Sequence, residues 1–213
     1  MLLNILTVVV LAYFATRLVG GFRTATRGHG KARALRIVQG IRWRHVWPVP
    51  FVLTGVIGTA IALIQVPGLD FGWWTAIGGT GNPVTGGTDR TTGTVFEWLI
   101  PLVFLSLLLP ALPLFAEAEE RMFRLGAERW TPRHRLYKVL QFGLVHALIG
   151  IPLGVALALS IGGAYFMARY LAEWHRTGDP LAATLESTRA HTAYNGTIIA
   201  LFLLSLVLSV VIG

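Results

Sequence analysis

The chain has 213 residues, of which 54% are apolar and only 13% charged, and its mean hydropathy is +0.64. Soluble domains carry about a quarter charged residues, so too few polar groups remain here to cover a water-soluble globule, and the same apolar content excludes disorder. Cysteine is absent, which rules out disulfides, thiolate metal sites and cysteine nucleophiles. The formal charge of +8 matters less than where the charges fall.

A helix needs about 20 mostly apolar residues to cross a bilayer. Leu2 to Phe22 is the first such run, interrupted by Arg17. It lacks a basic leader and a clear small-x-small cleavage site, so it reads as a span and not as a cleaved signal peptide. Val46 to Leu69 and Trp98 to Ala116 carry no charge. Val139 to Ala168 is too long for one crossing, and Gly150-Ile151-Pro152-Leu153-Gly154 in its middle predicts a turn between helices over 137–150 and 154–174. The last uncharged run is Thr192 to Gly213. Its helix is predicted to begin earlier, with Asp179 as N-cap and Pro180 in the first turn. The expected fold is therefore an all-α polytopic transmembrane helix bundle of about six spans.

The basic residues orient this bundle. Arg23, Arg27, Lys31, Arg33, Arg36, Arg42 and Arg44 lie between the first two runs, and Arg121, Arg124, Arg129, Arg133, Arg135 and Lys138 follow the third. The segment 67–97, rich in Gly and Thr, holds only Arg90 against Asp70, Asp89 and Glu97. The positive-inside rule places the basic loops in the cytoplasm, and the Gly/Thr loop and both termini outside, in a multi-pass protein of the cell membrane. Every Lys and Arg except Arg90 falls on or near the cytoplasmic side, so the high isoelectric point reflects topology. The expected partner is the lipid bilayer and not nucleic acid. The stretch 23–45, with Ala34, Leu35, Val38 and Ile41 as a partial apolar face, suits an amphipathic helix on the anionic leaflet.

Ionisable groups inside membrane helices are costly, and they are functional candidates for that reason. Three clusters stand out. Glu119, Glu120 and Arg124 follow the third run. If that helix continues to about Glu128, the acids lie roughly 12–14 Å from its end at 1.5 Å per residue. Glu120 and Arg124 are four apart in the order that favours an ion pair, while Glu119 points about 100° away and is free for other work. Phe142 and His146 share a face of the fourth helix, and His191 and Asn195 share a face of the last. Taken singly, each cluster also suits a bland role: a solvated helix end, a satisfied histidine, or interhelical hydrogen-bond glue. Together they can converge, and the set suits amide hydrolysis. A carboxylate in a low-dielectric site acts as a general base near neutral pH, a histidine helps it deprotonate water, and His plus Asn stabilise an oxyanion. No HExxH motif and no Ser-His-Asp arrangement is apparent. His146, His191 and a glutamate form an alternative His2Glu zinc set.

Glu119-Glu120-x-x-Phe123-Arg124 resembles the EExxxR motif of the CPBP family, the CAAX proteases and bacteriocin-processing enzymes. Phe142-x-x-x-His146 resembles its FxxxH motif, and His191-x-x-x-Asn195 its HxxxN motif. The three occur in the family's order over about residues 96–210, and residues 1–95 show nothing diagnostic. The chain thus divides into a two-span region, 1–95, and a CPBP-like core, 96–213. The resemblance implies an intramembrane endopeptidase related to the type II CAAX prenyl endopeptidase, acting on a prenylated tail, a leader peptide or a transmembrane segment. By that analogy Glu119 activates water with help from His146, Glu120 and Arg124 support the site, and His191 and Asn195 hold the oxyanion. The family carries a metalloprotease label, with a metal-free glutamate mechanism as the competing view. The metal-free route is preferred here, with no cofactor expected. The contrasting expectation is an inactive membrane scaffold or immunity protein of the same fold.

Overall fold

A computed structural model describes residues 2–72, 81–82, 87–88 and 93–212. Most of the Gly/Thr-rich segment expected to be an external loop lies outside the described residues. The helices are α1 (Leu2–Thr26), α2 (Gly28–Gln39), α3 (Trp43–Val46), α4 (Val49–Leu63), α5 (Phe96–Phe123), α6 (Pro132–Leu144), α7 (Leu153–Ala158), α8 (Ser160–Thr177) and α9 (Pro180–Ile212). The only sheet among the described residues is an antiparallel ribbon of β1 (Gly81–Asn82) and β2 (Gly87–Thr88). The protein is all-helical in class, as the composition implies.

Three helical stretches among the described residues are long and apolar enough to cross a membrane: Trp43–Leu63 (α3 with α4), Phe96–Arg129 (α5 with the 3-10 turn after it) and Leu153–Thr177 (α7 with α8). They coincide with the uncharged runs at 46–69, at 98–116 and in the second half of 139–168. Apolar side chains on α4 face outward, with Phe51 72% exposed and Ile61 58%, as a lipid-facing helix requires. The run 139–168 does break at the expected turn. However, α6 begins at Pro132 and gives way at Leu144 to a 3-10 turn over Val145–Ile149, which Gly150 ends at φ +90°. At 13 residues, α6 by itself is about 20 Å long, and the five-residue 3-10 turn that continues it adds about 10 Å at 2.0 Å per residue.

The chain forms two compact units. One comprises Met1–Arg36, Trp74–Phe115 and Asn195–Gly213, and the other Ile37–Trp73 and Ala116–Tyr194. The first has cores built from Ala25, Ala34 and Ala111 with Leu114 and Phe115, and from Leu105, Leu112 and Ile199 with Phe202 and Leu203. Its part of α5 holds Pro101, Pro110 and Pro113 inside the helix, a pattern tolerated where neighbouring helices re-satisfy the backbone. In α2, Ala34 is buried while Leu35 and Val38 are exposed.

The second unit holds the polar clusters. Thr131 caps α6 by accepting the His134 N–H at 3.3 Å, with Pro132 in the first turn. Asp179 caps α9 through Oδ1, which accepts the Leu181 N–H at 2.8 Å. The opening N–H groups of α7 are satisfied by the chain after α4: Leu153 donates to the Phe71 carbonyl at 3.0 Å and Gly154 to Leu69 at 2.7 Å, as exposed helix ends demand. One core packs Phe123, Phe142, Phe166, Ala190 and Tyr194. A second packs Ala127, Val139, Met167, Tyr170 and Ala183.

Candidate active site

The site begins at the end of α5. The expected continuation to Glu128 does not occur: the α-helix stops at Phe123 and a 3-10 turn covers Ala127–Arg129. The Glu120 carbonyl accepts both the Arg124 and the Leu125 N–H, at 2.9 and 3.2 Å. Gly126 then takes φ +92°, a conformation that glycine adopts without penalty. The Gly126 N–H donates to Tyr170 Oη at 3.1 Å, and Tyr170 donates to Glu128 at 2.7 Å. Glu119 and Glu120 therefore stand four and three residues from the helix end. The burial of Glu120 comes from packing and not from depth along α5.

Glu120 and Arg124 are both fully buried. Arg124 Nη1 donates to Glu120 Oε1 at 3.0 Å, and Nη2 to the Gly163 carbonyl at 3.2 Å. The guanidinium lies 4.1 Å from the Phe142 ring centroid and 5.5 Å from that of Phe166, where cation–π attraction offsets part of the lost hydration. Gly163 makes this approach possible, because a Cβ there would stand 2.8 Å from the Phe142 ring and 3.3 Å from Arg124 Nη2.

His191 completes the group from α9. Its Nδ1 lies 2.8 Å from Glu120 Oε1, its ring stacks on Phe166 with centroids 4.3 Å apart, and its Nε2 is 3.8 Å from Glu119 Oε2. Ser187, one turn earlier in α9, contacts Glu120 Oε2 and lies 2.9 Å from the Phe166 carbonyl. Its hydroxyl has one proton to share between the two. Ser187 bonds the acid and not the imidazole, so this is no serine triad. Sequence reading passed over Ser187, although its i, i+4 spacing to His191 is the signal that would have found it.

Glu119 differs from Glu120. Its side chain is 34% exposed, yet Oε2 is buried and makes no hydrogen bond among the described residues. His146 is half-buried, and its Nδ1 lies 2.8 Å from the Phe142 carbonyl. With Nδ1–H donated there, Nε2 is left as an acceptor. The Phe142 ring sits between the two histidines, 5.2 Å from His146 and 5.5 Å from His191. Glu119, Glu120, Arg124 and His191 thus form one group, and His146 adjoins it through Phe142. Asn195 lies one turn beyond His191 in α9, where the chain enters the other unit.

The zinc alternative does not fit these positions. Among the described residues no three His, Asp or Glu side chains converge on a common metal-sized point, and His191 Nδ1 is taken by Glu120.

A separate polar group ties α9 to α3 and α8. Glu186 accepts from Arg44 at 3.1 and 2.8 Å in a bidentate pair and from Arg169, and its Oε1 lies 3.0 Å from His45 Nε2. His45 Nδ1 accepts the Arg42 N–H at 2.8 Å, which leaves the ring proton on Nε2, facing the acid. Burial alone would raise the Glu186 pKa, but His45 and Arg44 hold its carboxyl well below the usual carboxylate range. This group is not legible in the sequence, because its partners come from distant segments.

No family model, curated protein or solved structure matches this chain.

Proposed function

We propose that the protein is an intramembrane endopeptidase that hydrolyses a peptide bond in a membrane-associated peptide, by water activated on Glu119. The observation that carries this is the state of Glu119 Oε2: buried, without a hydrogen bond, and 3.8 Å from His191 Nε2. A carboxylate so placed, on a side chain still partly exposed, can take a proton from a water that then attacks a carbonyl. Glu120 is saturated by Arg124, His191 and Ser187, which suits an orienting role. In its doubly protonated form His191 donates Nδ1–H to Glu120 and presents Nε2–H to the developing oxyanion. The CPBP resemblance adds His146 as an aid to the base and Asn195 as a second oxyanion donor. The proton on Glu119 then passes to the leaving amine.

The membrane disposition that goes with this has six crossings, basic loops in the cytoplasm and both termini outside. In α9 the crossing part is the uncharged run from Thr192, with the charged turns from Pro180 to Ala190 before it. Substrates of the implied class are prenylated tails, leader peptides and transmembrane segments.

The test is cleavage of a farnesylated CAAX-type fluorogenic peptide by the reconstituted full chain. Glu119→Gln keeps shape and removes the base, so it should abolish turnover with the melting temperature unchanged. An active Glu119→Gln variant overturns the assignment.

One observation favours a second reading. Arg124, Ser187 and His191 all engage the Glu120 carboxylate in a fully buried knot, as a structural staple would. A non-catalytic scaffold or immunity protein of this fold would keep its protective or binding effect after joint loss of Glu119 and His146, whereas a peptidase would not.

A further inference from the structure

A cavity of about 440 Å³ lies apart from the glutamate cluster, in the same compact unit. Arg42, Arg44, Arg176 and Arg189 line it, with Glu173 and Gly40. Four guanidinium groups thus reach one space from the α2–α3 junction, α8 and α9. Glu173 answers Arg176, with Nε donating to Oε2 at 2.9 Å, and Glu186 answers Arg44. Among the described residues neither Arg42 nor Arg189 forms an ion pair, and Arg189 Nε is buried without a hydrogen-bond partner. A buried guanidinium donor left unsatisfied is costly. Burial lowers the Arg189 pKa from its ordinary value; Glu186 opposes that shift, and Arg44 and Arg42 add to it.

Gly40 builds the seat for this arginine. A Cβ at Gly40 would stand 2.1 Å from Arg189 Nε and 2.3 Å from Cζ. The guanidinium therefore lies directly on the Gly40 backbone, and a side chain at that position would push it aside.

We infer that this cavity is an anion site for a phosphate group, carried either by an anionic lipid headgroup or by a soluble phosphate. Planar guanidinium forks arriving from several directions match the tetrahedrally arranged oxygens of phosphate better than the two coplanar oxygens of a carboxylate. The volume lies within the roughly 300–1,000 Å³ span of ligand pockets, enough for a phosphate and the group it esterifies. Its residues include the end of the basic stretch 23–45, the kind of sequence drawn to anionic leaflets. The site does not depend on the peptidase activity proposed above.

The experiment has two arms on the purified full chain in neutral detergent at fixed chloride ionic strength. The first measures binding of radiolabelled inorganic phosphate by equilibrium dialysis. The second compares thermal stabilisation by phosphatidylglycerol and phosphatidylcholine. A saturable response in the phosphate arm alone identifies a soluble ligand. A response to phosphatidylglycerol over phosphatidylcholine identifies a lipid headgroup. In either case Arg189→Ala should weaken the response about tenfold or more, and Gly40→Ala should weaken it by displacing the guanidinium. Arg176→Ala removes a side chain that is 67% exposed, so the fold should survive, and it should also weaken binding. Three results would overturn the site: no response in both arms, equal affinity in the wild type and all three variants, or selective binding of a peptide with a free C-terminal carboxylate.

Discussion

At the scale of single residues, the two adjacent glutamates have opposite surroundings. Glu120 has three polar partners and no exposure, whereas Glu119 has one oxygen buried without a hydrogen bond on a side chain that remains reachable. On that contrast rests the proposed division between Glu120 as orienting acid and Glu119 as base. Arg124 is the counter-charge that makes Glu120 tolerable. Its two donors reach Glu120 and the Gly163 carbonyl at once, which a lysine ammonium cannot reproduce with the same stacking on Phe142. Arg124→Lys should therefore destabilise the protein, and Arg124→Ala should cost about 3–5 kcal/mol by stranding the buried Glu120, as measured by denaturant unfolding in detergent. The Glu120–Arg124 pair was legible from its spacing alone, because both residues lie on one helix. The Ser187–Glu120 contact was not, because it depends on how α9 packs against α5.

At the scale of elements, helix ends governed by local chemistry were readable. Thr131-Pro132 opens α6, Asp179-Pro180 opens α9, and Gly150 stops the 3-10 turn before α7. The end of α5 was not readable, because Tyr170, more than 40 positions away, fixes the Gly126 N–H that ends it. Gly126→Ala forces a side chain into φ +92° and should cost about 1–2 kcal/mol, visible as a lower melting temperature and a loosened Glu128 turn. Glu186 binds α9 to α3 and α8 in the charged turns ahead of the uncharged run. Its folded pKa lies below the unfolded value of about 4.3, so its contribution is complete above that pH and is lost as pH falls toward the folded value. Acidifying from pH 6 to pH 3 should lower the melting temperature of the wild type more than that of Glu186→Gln. Equal slopes would count against the pairing.

At the scale of the whole molecule, composition alone was enough to indicate a helical membrane protein, and three helices among the described residues have the length and apolarity to span. Of the polar groups marked in the sequence, Glu119, Glu120, Arg124 and His191 meet directly, and His146 approaches through an aromatic ring. Hydropathy could not show where α6 ends, because its apolar run continues through a 3-10 turn with the same residue types. The six-crossing topology predicts that the stretch 23–45 and the α5–α6 turn face the cytoplasm. The chain has no native cysteine, so single cysteines placed at Lys31, Arg133 and Asp179 can be labelled without background. In intact cells they should resist impermeant maleimide and react after permeabilisation. Labelling of Lys31→Cys from outside would reverse the topology.

The central claim is that Glu119 drives hydrolysis of membrane-associated peptides, and it can be tested without knowing the substrate. Cells lacking the native copy would express either the wild type or Glu119→Gln at matched levels, and new N- and C-termini in the membrane proteome would be compared by mass spectrometry. The account predicts a set of termini present with the wild type and absent with Glu119→Gln. Identical termini in the two strains would contradict it.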